Sequence, residues 1–222
     1  RLAAYWDKRD LSPRQCIELP WNLAQSQDYK KLSEVLSDMT FFTELYKTYR
    51  EDVMKYWNLI ETKSTFRKES VYEPILSQHN DYPIPTLLFL ADFFKKTGLM
   101  EESFSLLERL QERCESISDI NCLITILNEK AEIVKNRGDL KEALELYRST
   151  EELAQKNQNQ EELIRSMYCQ AMILRTFGKW AEAFELYKKA EKISIEQNNN
   201  KGLSDALNSQ ALVLEDWGKL QE

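Results

Sequence analysis

Gly138–Thr150, GDLKEALELYRST, and Gly178–Ala190, GKWAEAFELYKKA, stand forty residues apart and decide the fold. A third copy, GLMEESFSLLERL, begins at Gly98, and a fourth, GKLQE, begins at Gly218. The chain has five glycines in 222 residues, so four in one forty-residue register form a repeat. Seven residues before each Gly sits Ala91, Ala131, Ala171 or Ala211. Four before it sits Phe94, Val134, Leu174 or Leu214, and eleven before it Leu87, Leu127, Met167 or Leu207. This is the i, i+4, i+7 spacing of one apolar helix stripe. Gly98, Gly138, Gly178 and Gly218 then permit a structural turn that residues with side chains take at a cost. A second amphipathic helix follows each turn.

The small residues predict how the helices cross. Ala91, Ala131, Ala171 and Ala211 fall on the buried stripe of the first helix, and Ser103, Ala143 and Ala183 on that of the second. Small side chains let two backbones approach, while Phe104, Leu144, Phe184, Tyr147 and Tyr187 fill the flanking grooves. One pair cannot bury its apolar face alone, so the pairs stack into a solenoid. The expected fold is all-α, an α-α superhelix preceded by a small helical cap or linker. Residues 1–60 form the cap, 61–83 a polar connection and 84–222 the array, with repeats at about 84–123, 124–163, 164–203 and a truncated 204–222.

The motif resembles the tetratricopeptide repeat (TPR), whose usual period is about 34 residues. A forty-residue version is similar to the arrays of kinesin light chains and of GoLoco-type polarity adaptors. Two features depart from the family: Leu or Met replaces the aromatic at the first-helix start, and the proline that closes each repeat is missing. The resemblance implies a platform for protein partners and does not name the partner.

Composition narrows the class. Apolar residues make up 42% and charged residues 30%, with five Gly and five Pro, as in water-soluble helical proteins. The most apolar stretch, PTLLFLADFF, is interrupted by Asp92, so no membrane insertion is expected. The first residue is Arg1 and no leader pattern occurs, so the chain reads as a fragment of a longer protein. Cys16, Cys114, Cys122 and Cys169 lack CxxC spacing and are expected as reduced thiols of a cytoplasmic protein. Residues 1–80 balance 12 Lys and Arg against 12 Asp and Glu, whereas residues 81–222 carry 18 against 25 and hold the net −7. An acidic array repels phosphate backbones, so no nucleic-acid partner is expected.

Ahead of the array, residues 1–11 read as the tail of a helix. Ser12-Pro13 reads as a fresh start, and Pro20 as an interruption or kink. Tyr29–Leu36 and Met39–Tyr46 read as short helices. Thr48 and Glu51 form a capping box before EDVMKYWNLIE. Leu32, Leu36, Phe41, Phe42, Leu45, Tyr46, Val53, Tyr56 and Trp57 suffice for a small satellite core. In the connection, Ser70 and Glu73 cap a short helix strained by Pro74, and His79 is a solvated loop residue.

The order ELPW, KLSEVLSD, FFTEL and YW over residues 12–110 resembles the segment after the nucleotide-binding module of NACHT-type signal-transduction ATPases, most closely the nephrocystin family. Glu18, Leu19, Pro20 and Trp21 match the Leu-Pro-aromatic motif there, and Tyr56-Trp57 the closing aromatics. The resemblance implies intramolecular contact with an upstream nucleotide-binding module. A helical cap in front of any solenoid accounts for the same aromatics.

Catalysis is not expected. No GxxxxGK[ST] loop occurs, a single histidine gives no metal site, and no cofactor is indicated. The pairs Glu101-Glu102, Glu151-Glu152 and Glu161-Glu162 read as solvated. What remains is the surface of the first helices. Three residues before each Gly stand Lys95, Lys135, Arg175 and then Glu215. Asn128, Tyr168 and Asn208 align ten before the Gly, and Arg165 stands thirteen before. These residues predict a groove for a protein or peptide ligand, acidic if the basic ladder grips it. The alternative is that the cations complement helix C-termini. The backbone-gripping asparagine ladder of the resembling arrays is absent: Asp92, Glu132, Met172 and Leu212 stand six before the Gly. Two functions remain open, the partner-binding arm of a signal-transduction ATPase and a stand-alone peptide adaptor.

Overall fold

The computed structural model describes residues 13–218, which form eleven α-helices and no strand. They are α1 Pro13–Gln25, α2 Tyr29–Ser37, α3 Met39–Lys63, α4 Lys68–Ser77, α5 Ile84–Lys96, α6 Met100–Ser116, α7 Ile120–Arg137, α8 Leu140–Lys156, α9 Gln160–Thr176, α10 Trp180–Glu196 and α11 Asn200–Asp216. None of the described helices is long and apolar enough to cross a membrane. The expectations for residues 1–11, for the Ser12 cap and for the segment after Gly218 lie outside the described residues. Packing divides the chain into two compact units, Arg1–Leu106 and Leu107–Glu222, with the division inside α6.

The first unit is built on aromatics. Phe42 stacks on Tyr46 with centroids 5.1 Å apart and meets Tyr72 and Phe93 edge-on at 5.9 and 5.7 Å. Tyr72 is fully buried; its hydroxyl donates to Leu36 O at 2.7 Å and accepts from Trp57 Nε1 at 3.3 Å. The residues expected as a satellite core are buried here, apart from the half-buried Tyr56. The core is larger than expected, because Tyr72 on α4 and Phe93 and Phe94 on α5 complete it.

Several local readings are corrected. The helix runs through Pro20 unbroken, since proline removes one donor while buried Leu19 and Leu23 hold both sides of it. The expectation of two helices over 39–61 does hold: α3 spans both, and they meet at a kink where Tyr49 is non-helical (φ −129°, ψ 45°), beside the anticipated capping box. Helix α4 starts at Lys68, ahead of Ser70, because Glu61 caps it from α3. The Glu61 carboxylate accepts from Lys68 N at 3.1 Å and pairs with Lys68 Nζ at 2.7 Å. His79 sits in a 3₁₀ turn, half-buried, with Nδ1 3.2 Å from Leu76 O.

The helix crossings follow from the small residues. Ala91, Ala131, Ala171, Ser103, Ala143 and Ala183 are all buried, and Ser103 Oγ donates to Ala91 O at 2.7 Å. Ala211 departs from this pattern and is exposed, as are Leu207 and Leu212. Helix α11 packs on α10 through Ala206, Gln210 and Val213, and no described helix lies beyond it to cover the rest of the stripe. Gly98, Gly138, Gly178 and Gly218 adopt φ of +88°, +93°, +72° and +72°.

A second ladder lies in the turns between repeats. Ser118, Gln158 and Asn198 adopt φ of 55°, 55° and 53°, a conformation costing about 1 kcal/mol without glycine. The next residues, Asp119, Asn159 and Asn199, cap α7, α9 and α11 by accepting from the backbone N of Cys122, Glu162 and Gly202. The same turn folds Cys114 back onto Cys122. Their Cα atoms lie 6.2 Å apart and their sulfurs are bonded, which corrects the expectation of four reduced thiols. Eight residues are no metal or redox spacing in sequence, but a helical hairpin brings them face to face. Cys16 and Cys169 are free.

Candidate groove on the first helices of the second unit

Helices α7, α9 and α11 carry the first-helix positions of the second unit. Tyr168 Oη donates to Gly202 O at 3.1 Å at the start of α11, and Arg175 pairs with Asp216 at its end. These two contacts hold α9 and α11 side by side along their length. Between them lies a groove of about 550 Å³ whose walls include Arg165, Tyr168, Cys169, Lys201, Asp205 and Asn208. Three of the residues singled out in sequence, Arg165, Tyr168 and Asn208, therefore share one cleft. A second groove, about 610 Å³, opens on the second-helix side between α8 and α10, with Glu151, Glu152, Glu182, Glu185, Arg148 and Lys189 on its walls. It contains none of the expected site residues.

The aligned positions act first as staples between repeats. Asn128 is buried, and its Nδ2 donates to Glu162 Oε2 at 2.7 Å, thirty-four residues on, the same separation as Tyr168 to Gly202. Asn208 is exposed. Arg165 lies 3.6 Å from Glu162 and 3.8 Å from Glu132, with 48% of its side chain exposed, so solvent weakens both contacts. Lys95, in the first unit, lies 3.8 Å from Asp92, which also accepts from Tyr46 Oη at 2.9 Å. The Arg175 guanidinium holds the Asp216 carboxyl below its usual range through their hydrogen bond, and its own pKa rises in return. The anticipated ladder of open cations is thus largely engaged with carboxylates of its own chain. Lys135 is half-buried and stands close enough to Cys169 to favour its thiolate.

Around Cys169 the influences oppose one another. Burial pushes its thiol up, while Tyr147, Lys135 and Arg165 pull it down. Tyr147 Oη is buried beside it without the geometry of a hydrogen bond. Burial likewise raises the Tyr168 hydroxyl, with Asp205 and Tyr187 adding to the shift. The Tyr168 ring packs on Tyr187 with centroids 5.2 Å apart. Beyond the tyrosine, Met172 and Leu212 occupy the rung six residues before the Gly and are 57% and 45% exposed. At that rung the face is apolar.

One ladder escaped the sequence reading. Lys130 Nζ, Gln170 Nε2 and Gln210 Nε2 donate to Gln111, Glu151 and Glu191 at 3.0, 2.5 and 2.7 Å, each reaching nineteen residues back. Both members advance by forty, which is the signal that marks them. Glu151 and Glu162 are therefore acceptors between helices rather than solvated carboxylates, while Glu152 and Glu161 face solvent. Among the described residues, no cluster of His, Cys, Asp and Glu could hold a metal ion.

No protein-family model matches the chain, and no curated protein matches it in sequence. Solved structures do. BtubC (BKLC) from P. vanneervenii superposes with a TM-score of 0.59 at 13% identity, covering 96% of this chain and 87% of that one. A Podosopora anserina protein described as a kinesin light chain with nearly identical TPR-like repeats superposes with a TM-score of 0.54 at 19% identity, covering 94% and 88%. A single-residue variant of that protein gives 0.55 at 19% identity, covering 94% and 87%. At these identities the shared property is the fold. The chain is a TPR-like array of helical repeats.

Proposed function

We propose that the chain is a protein-interaction scaffold that takes a peptide segment of its partner in the groove between α9 and α11. The observation that carries this reading is the cleft itself, where Arg165, Tyr168 and Asn208 converge beside the exposed Met172 and Leu212. Met172 lies on α9 with α11 already packed beside it and is still 57% exposed, so its exposure is a binding feature more than a folding one. Arg165 sits at one end of the groove with long, solvent-weakened contacts, so a carboxylate of the ligand can take the place of Glu132 or Glu162 at little cost. The ligand is thus a segment with an apolar anchor and an acidic residue. Lys135 extends the same charge preference along the face, while Arg175 meets the ligand only by exchanging its partner Asp216.

The test is a peptide-display selection on the purified 222-residue protein, followed by titration of the selected peptides. Peptides are expected to share an apolar residue and an acidic neighbour, and to lose affinity with Arg165→Glu or with Lys135→Glu combined with Arg175→Glu. Far-UV circular dichroism should stay unchanged. Selected peptides that bind these variants as well as wild type would rule out the groove.

The likeness of residues 12–110 to the segment after a NACHT module extends the proposal: the scaffold is the partner-binding arm of a signal-transduction ATPase. Trp21 of the ELPW motif is 54% exposed and Ile17, one turn before it, 46% exposed, which leaves an apolar strip on α1 for such a module. Partner binding would then favour one state of the module over another. A coding sequence upstream of Arg1 without a P-loop would leave the stand-alone adaptor.

A further inference from the structure

Three hairpin junctions of the second unit share one construction. In each, the backbone N of the capping residue returns to the preceding helix: Asp119 N to Cys114 O at 3.0 Å, Asn159 N to Ala154 O at 2.8 Å, and Asn199 N to Ser194 O at 2.8 Å. Each cap then accepts from the third residue of the next helix: Cys122 N at 3.0 Å, Glu162 N at 3.2 Å and Gly202 N at 2.9 Å. The residues that meet are therefore Cys114 with Cys122, Ala154 with Glu162, and Ser194 with Gly202.

The two junctions without a covalent link show how little room exists. A Cβ placed on Gly202 would come within 2.7 Å of Ser194 Oγ, closer than real Cβ atoms come. Glu162 does carry a Cβ, and its opposite residue, Ala154, has no γ atom. The junction accepts a γ atom on the first residue or a Cβ on the second. Cys114 and Cys122 have both. Inside a disulfide that approach is ordinary, because the sulfurs are bonded at about 2.05 Å. Two separate thiols need the 3.5–4.0 Å of a typical non-bonded contact, roughly 1.5 Å more. Rotating the half-buried Cys122 side chain does not help, since its Cβ stays where it is, and Cys114 is fully buried.

We infer that the Cys114–Cys122 bond is a redox-controlled clasp: oxidised it closes the α6–α7 hairpin, and reduced it forces the two helix ends apart. In the reaction a dithiol attacks the half-buried Cys122 sulfur, the S–S bond breaks, and the pair takes up two electrons and two protons. The reductant leaves as its own disulfide. The turn itself needs no covalent bond, since the other two junctions keep it without one. What the bond adds is tolerance of two sulfurs in a space built for one.

Two measurements on the full chain test this. Alkylation in denaturant should count two free thiols before reduction, Cys16 and Cys169, and four after dithiothreitol. Hydrogen exchange followed by mass spectrometry should then show amides around 112–124 exchanging about tenfold faster in dithiothreitol, with the turns at 157–159 and 197–199 unchanged. The discriminating variant is Cys114→Ala, which recreates the Ala154–Glu162 arrangement and should keep full protection in reductant. Four free thiols in air-oxidised protein would overturn the inference. So would unchanged exchange on reduction, or a Cys114→Ala variant as loose as the reduced wild type.

Discussion

Replacing Gly202 with alanine should destabilise the protein, although the usual rule says the opposite. Gly202 lies in the first turn of α11, and exchanging a helical glycine for alanine ordinarily stabilises by up to about 1 kcal/mol. Here the new methyl group meets Ser194 Oγ at 2.7 Å and Asn199 Nδ2 at 2.9 Å, well inside the 3.4 Å at which ordinary contact begins. Ser194 is fully buried, and its hydroxyl is held by Ala190 O at 2.8 Å. Asn199 is the cap of the same helix and loses its geometry if it moves. Overpacking of this kind costs about 1–3 kcal/mol, and a lost cap about 1 kcal/mol. The net expectation is a loss of about 1–2 kcal/mol after the helix-propensity gain is subtracted. In a Ser194→Ala background the obstructing oxygen is gone and the pair becomes like Ala154 and Glu162, where the cap persists at 3.2 Å. The methyl group then meets only Asn199, which has to shift as Asn159 does beside the Cβ of Glu162, and Gly202→Ala should be close to neutral. A four-protein cycle of urea melts followed by circular dichroism should therefore report a coupling of about 1–2 kcal/mol. A single Gly202→Ala that raises the urea midpoint would show that the junction has slack and refute the reasoning.

Other expectations follow from the packing. Ala171→Leu, at a crossing where Ala183 is also fully buried, should cost about 1–3 kcal/mol, whereas Ala211→Leu on the exposed side of α11 should stay within about 0.5 kcal/mol. Equal melting temperatures for the two would undo the assignment of the crossings. Tyr72→Phe leaves Leu36 O and Trp57 Nε1 without their partner in the aromatic core and should cost about 1–3 kcal/mol, read from the urea midpoint. Alkali should also weaken the fold. Burial raises the hydroxyls of Tyr46, Tyr72 and Tyr147, so they keep their protons in the folded state while the unfolded chain loses them near pH 10. The stability they contribute is whole below that pH and declines as pH rises past it, by up to about 1.4 kcal/mol per pH unit for fully buried Tyr72. A pH 9 to 11 series in which Tyr72→Phe falls as steeply as wild type would remove Tyr72 from the account.

The repeat was legible because its signals are local and periodic. Gly98, Gly138 and Gly178, the alanines before them and the small residues after them are each read from spacing along one helix, and the solenoid follows because an isolated pair cannot cover its own stripe. The expected groove residues were found by the same arithmetic, and Arg165, Tyr168 and Asn208 do line one cleft. Their bonding was not readable. Whether a cation is open or engaged depends on carboxylates such as Glu132 and Asp216, brought up from a different helix by the packing of the array. The exposure of Ala211 depends on which helix covers α11, and the depth of Tyr72 on three helices closing around it. The cysteines make the division sharpest. Sequence alone determined that Cys114 and Cys122 stand eight residues apart, in no metal or redox spacing. Only the tertiary structure decided that they touch, because a disulfide needs its two sulfurs placed about 2 Å apart with little tolerance, and helix ends reach that precision only when turn, cap and crossing act together.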